Sequence, residues 1–75
     1  MTYFARVIEV ITRTGGEVSD VVQVEAAHGG EAVERICEAM RVAEWRVYLI
    51  CEEEALQWAA LGIRIHEIEF NKKEA

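Results

Sequence analysis

The spacing of apolar residues changes several times along the chain. In residues 3–12, YFARVIEVIT, both parities are apolar: Phe4, Ile8 and Val10 on one, Tyr3, Ala5, Val7 and Ile11 on the other. A strand apolar on both faces belongs at the centre of a sheet, or under cover on both sides. Thr14-Gly15-Gly16 then reads as a turn, because glycine accepts positive φ without steric cost. Residues 17–26 alternate. Val18, Asp20, Val22, Val24 and Ala26 share one face, and Glu17, Ser19, Gln23 and Glu25 the other. That is a half-buried strand, paired antiparallel with the first through a short hairpin.

His28-Gly29-Gly30 breaks the alternation, and from about Gly30 to Ala43 the period becomes helical. Val33, Ile36, Cys37 and Met40 form one apolar stripe at i, i+3, i+4 and i+7, flanked by Ala32, Ala39 and Ala43. Glu31 suits the positive end of that helix and Arg41 its last turn, while Glu31 to Arg35 and Glu38 to Arg41 are spaced to pair. Residues 46–51, RVYLIC, form a third short strand. Glu52-Glu53-Glu54 opens a short helix, EEEALQWAAL, with Leu56, Ala59 and Ala60 on its inner face and Gly62 as its terminator. In residues 63–70, IRIHEIEF, apolar parity switches between Ile65 and Ile68, which predicts a β-bulge at His66-Glu67 that keeps Ile63, Ile65, Ile68 and Phe70 on the core side.

The order is therefore β-β-α-β-α(short)-β within one domain, residues 1–75, with the polar tail 71–75 frayed. A hairpin laid on one amphipathic helix gives an α+β two-layer sandwich with a four-stranded, mainly antiparallel sheet. This order, with its Thr-Gly turn and short third strand, resembles the β-grasp (ubiquitin-like) arrangement at similar length. The resemblance implies that strands 3–12 and 63–70 lie side by side at the sheet centre. Ubiquitin-type modifiers and sulfur carriers end in Gly-Gly, whereas this sequence closes on Glu74-Ala75, so conjugation is not implied. A four-stranded sheet with both helices on one face is the alternative.

Charge narrows the function. Eight basic and fourteen acidic residues give a net charge of −6, which argues against a nucleic-acid or anionic-membrane binder, since those need clustered Lys and Arg. The first residues lack the pattern of a signal peptide, and no apolar run approaches the roughly 18 residues of a membrane span. Two cysteines do not make a disulfide framework, so a cytoplasmic setting is expected.

Catalytic chemistry finds little to work with. His28, Cys37, Cys51 and His66 are widely separated, with no C-x-x-C or H-x-x-x-H element, so no metal site or cofactor is expected. Both cysteines fall on apolar segments and read as buried. Cys51 with His66, or Cys37 with His28, could be drawn as a nucleophile and base, but no activating signature accompanies either pair. Gly15-Gly16 and Gly29-Gly30 match no phosphate-binding loop. No catalytic residue is assigned.

The carboxylates are the informative set. Glu31, Glu34 and Glu38 run along one side of the first helix, Glu17 and Glu25 lie on the polar face of the second strand, and Glu53 and Glu54 open the second helix. Some of this acid caps helices; the surplus forms a field that attracts a basic protein surface. Trp58 adds a candidate aromatic anchor. The hairpin running into VVQVEAAHGGEAVERI, together with the −6 charge, resembles the small phage-encoded inhibitors of the anti-CRISPR kind. That resemblance implies a non-enzymatic, acidic protein-binding module acting in a host cytoplasm, which occupies a basic nucleic-acid-binding surface of a CRISPR effector complex without touching nucleic acid or membrane itself. Two other readings stand beside it: a ubiquitin-like regulatory domain that binds through a sheet edge or hydrophobic patch, and a small oligomeric enzyme or metal protein. Monomer and homodimer are both compatible with the sequence.

Overall fold

A computed structural model describes residues 1–11 and 17–68, with the backbone alone for residues 9–11 and for 17 and 18. Its elements are β1 (Thr2–Ile11), β2 (Glu17–Glu25), α1 (Gly29–Met40), a 3-10 turn (Glu44–Arg46), β3 (Val47–Ile50), α2 (Glu52–Ala60) and β4 (Ile65–Ile68). The expected α+β class and element order are present, and two of the three strand pairings are antiparallel. Among the described residues no helix is long and apolar enough to cross a membrane. The Thr14-Gly15-Gly16 turn, Phe70 and the tail 71–75 lie outside the described residues.

The sheet order is β3-β1-β2-β4. The double-sided apolarity of β1 is thus explained, since β1 has a neighbour on each side and both its faces are covered. The adjacency of first and last strands implied by the β-grasp likeness does not occur: β4 pairs parallel with β2, Val21 opposite Ile65 and Val24 opposite Ile68, at the far edge from β3.

The placement of the helices follows from handedness. β1 runs antiparallel to both β2 and β3, and β4 runs parallel to β2, so β2, β3 and β4 share one direction. The connection through α1 steps from β2 over β1 to β3. The connection through α2 steps back from β3 over β1 and β2 to β4. Crossovers between parallel strands are right-handed, so two that travel in opposite senses put their helices on opposite faces. Burial agrees. Ala5, Val7, Val22, Val24, Ala26 and Val47 pack with Ala32 and Ile36 of α1 in one cluster. Ile8 and Val21 alternate to the other face, yet are only 4% and 1% exposed. Ala55 of α2, which packs against β1, is fully buried and stands outside the α1-side cluster. The sheet and α1 form the expected two-layer sandwich, and α2 crosses its back.

That back layer changes several local expectations. Ile65 and Ile68 alternate faces in register with Val21 and Val24, so β4 shows no bulge at His66-Glu67. Both faces offer cover, and the apolar groups need not be gathered on one. The register shift falls instead in the hairpin, between Ile8 and Val10. In α2 the innermost residue is Ala55, while Leu56, Ala59 and Ala60 are exposed.

Helix ends are well specified. α1 stops at Met40, short of Ala43, because Arg41 takes a left-handed conformation (φ 58°, ψ 48°) and is the C-cap, not part of the last turn. α2 ends as Gly62 predicts. Gly62 has φ 97°, its amide donates to the Ala59 carbonyl at 3.0 Å, and the Ile63 amide donates to the Trp58 carbonyl at 3.0 Å. Those two bonds define a Schellman motif, whose left-handed residue is best supplied by glycine. At the other end of α1, a Cβ on Gly29 would meet Leu49 Cδ1 at 3.1 Å, so glycine lets the helix start close against β3.

Candidate functional site

The candidate carboxylates divide by what they hold. Glu31 is engaged within the fold. Its Oε1 accepts from the Ala27 amide at 2.6 Å, its Oε2 pairs with Arg35 Nη2 at 3.1 Å, and its own amide donates to His28 Nδ1 at 3.2 Å. His28 is thus the N-cap of α1, and Glu31 reaches back past it to the amide of the preceding residue, a variant of the capping box in which the second bond goes to Ala27. The same Arg35 donates from Nη1 to the Glu25 carbonyl at 2.5 Å, which ties α1 to the end of β2. Sequence reading missed His28 because histidine is not a favoured cap residue; the signal was Glu31 three positions later.

Glu25 is likewise engaged. It accepts from the Thr2 hydroxyl and lies 3.5 Å from the terminal ammonium of Met1. The Thr2 hydrogen bond first, and the ammonium second, hold its carboxyl below the usual glutamate range. Glu54 accepts from Trp58 Nε1 at 3.3 Å, and its amide donates to Cys51 Sγ at 3.4 Å. Trp58 is half-buried, and its indole N–H turns back to α2's own first turn. Cys51 is exposed and caps α2, and Cys37 is half-buried; both are free thiols, and neither is fully buried as the sequence led one to expect. The Glu17 side chain lies outside the described residues.

Glu34 and Glu38 are different. Both are exposed, one turn apart on α1. Together with Glu44 of the 3-10 turn they rim a shallow groove of about 550 Å³ floored by Val33 and Cys37. Burial, and then the Glu44 carboxylate, push the Cys37 thiol above its usual pKa. No protein-family model, no curated protein and no solved structure matches this chain. The groove therefore has to be read from its own chemistry. Three carboxylates around an apolar floor favour a cationic, partly apolar side chain such as Lys or Arg, whose stem packs while its head meets the rim. Among the described residues no three His, Cys, Asp or Glu side chains come together in a way that holds a metal ion. Glu53 is exposed beside a second shallow groove, formed by Cys51, Glu54, Gln57, Trp58 and Leu61 on α2.

Exposed aromatic and aliphatic residues lie along β3 and α2. Trp45, Tyr48 and Leu49 project along β3 and the turn before it, and Leu56 and Leu61 project from α2 and its end. Tyr48 carries the Arg6 guanidinium over its ring at 5.2 Å, and Arg46 lies over Trp45 at 5.1 Å.

Proposed function

We propose that this chain is a non-enzymatic protein-binding module whose acidic α1 face docks on a basic surface of a partner protein. A phage-type inhibitor would use such a face to occupy the nucleic-acid groove of a CRISPR effector or a similar complex. The observation that carries the reading is the division among the carboxylates. Glu25, Glu31 and Glu54 serve the fold, whereas Glu34, Glu38 and Glu44 gather around one groove on α1. Folding does not require that grouping, and like charges held together cost stability unless something cationic offsets them.

The test begins with capture of the partner from the host and a titration of the purified pair. Reversing Glu34, Glu38 and Glu44 to Lys is expected to weaken binding by roughly 100-fold or more, with the circular dichroism spectrum unchanged. Wild-type affinity should fall steeply with added salt, and nucleic acid should compete for the partner. Binding that ignores both salt and the triple reversal would overturn the reading. A second reading has its own support: Tyr48 and Leu49 are 44% and 42% exposed on an edge strand, the build of a domain that recognises partners by sheet edge. In that case substitution at Tyr48 would abolish binding and reversal on α1 would spare it.

A further inference from the structure

The two edges of the sheet are built differently. β4 carries the polar His66 and the charged Glu67 among its four residues, and a charged side chain is a common guard against edge-to-edge pairing. β3 reads Val-Tyr-Leu-Ile, with no charge, proline or glycine, and it ends the sheet on its side. Its large side chains are exposed on both faces. Leu49 faces the α1 side, opposite Ala5, and Tyr48 faces the α2 side, opposite Arg6. Charge does appear at the two ends of this strand, with opposite sign. Arg46 precedes it, and Glu52, Glu53 and Glu54 follow it. Cys51 is still extended (φ −84°, ψ 165°), so the line of the strand reaches Glu52 before α2 begins.

A strand with a cation at its start and carboxylates at its finish is complementary to a second copy of itself run antiparallel. We infer that two copies of this chain associate through β3, about a two-fold axis perpendicular to the sheet, to form one continuous eight-stranded sheet. Such an axis keeps each face continuous, so residues directly opposite must share parity. Any β3 residue placed on the axis satisfies that, and the two central ones give the longest overlap. With Tyr48 on the axis, Arg46 lies opposite an isoleucine and its cation is unmatched. With Leu49 on the axis, Arg46 lies opposite the second copy's Glu52, twice over, and Tyr48 lies opposite Ile50 on both sides. The second register matches charges and covers apolar side chains on both faces, and it is the one assigned. It brings the two α1 helices onto the same side of the extended sheet, so both acidic grooves face one way. The contact is short, which places the dimer in the micromolar class.

Sedimentation equilibrium of the pure chain from about 1 µM to 0.5 mM tests this. The expected result is a reversible shift toward twice the 8.5 kDa chain mass. Amide hydrogen exchange at residues 47–50 should slow as concentration rises, while exchange at β4 does not change. Arg46→Glu should raise the dimer Kd by at least about tenfold, and Arg46→Glu with Glu52→Arg should recover most of it. Leu49→Lys should leave only monomer; because Leu49 lies close to the start of α1, the Arg46 and Glu52 variants carry the decision if Leu49→Lys fails to fold. A chain monomeric at 0.5 mM, a dimer indifferent to Arg46→Glu, or a dimer whose protected amides lie outside β3 would each overturn the inference. None of these readouts depends on the partner of the α1 groove.

Discussion

The two helices begin alike and end as different kinds of structure. Each follows a strand and each is capped by an unusual residue, His28 for α1 and Cys51 for α2. Yet α1 buries Ala32 and Ile36 completely and packs Val33, Cys37 and Met40 against the same core, while α2 buries Ala55 alone. Helical segments this short are marginal by themselves and gain most of their stability from the face they bury. α1 is thus part of what makes the sheet fold. α2 is a thin cover, held by one small side chain, its caps and the hydrogen bond from Trp58 to Glu54. Acid at the start of α1 consequently serves structure, whereas the acid farther along α1, Glu34 and Glu38, is exposed.

The sharpest test of this contrast is a pair of truncations. Ile36→Ala should lower the unfolding free energy by about 3 kcal/mol, from lost transfer free energy and an imperfectly collapsed cavity. Leu56→Ala, on the exposed side of α2, should change it by less than about 0.5 kcal/mol. Chemical denaturation measures both, and similar values would erase the distinction between the helices. The caps come next. His28→Ala should cost about 1 kcal/mol, because it removes the acceptor for the Glu31 amide. Cys51→Ser should be neutral or stabilising by up to about 0.5 kcal/mol, since serine is a better cap than a thiol. A large loss at Cys51 and none at His28 would reverse the assigned importance of the two helix starts.

The smallest effect concerns acid. The Glu25 carboxyl titrates below its usual value of 4.5 in the folded chain. A carboxyl of depressed pKa contributes stability that is present above the unfolded pKa and is lost as pH falls through the folded one. Glu25→Gln should therefore lower stability slightly at neutral pH and flatten the profile below about pH 4.5, so that the two chains converge in acid. An unchanged acid limb would show that the contacts with Thr2 and the terminal ammonium do not persist in solution.

The one-dimensional pattern carried more of α1 than of anything else. Its apolar stripe at Val33, Ile36, Cys37 and Met40 predicts the buried face, and Gly62 predicts the end of α2. What the pattern could not carry was which strands are neighbours. Ile65 and Ile68 looked like a bulge only under the assumption that a single face is covered; with α2 across the back, plain alternation suffices. Val21 was overlooked for the same reason, as an apolar residue on a face otherwise occupied by Ser19, Gln23 and Glu25. The acidic site was half legible. Glu34 and Glu38 stood out by spacing, but Glu44 joins them only through the turn after Arg41, and Glu31 leaves the set because a histidine cap claims it.

The two outer seams of the sheet are equally distant in the chain. β1 meets β3 across 40 to 46 positions and β2 meets β4 across 44, so both close long loops. What offsets that closure differs. β3 places Val47 in the core cluster under α1, whereas β4 brings two half-buried isoleucines and the polar His66-Glu67. β4 is thus the strand held by least, and its amides are expected to exchange faster than those of β1 and β2.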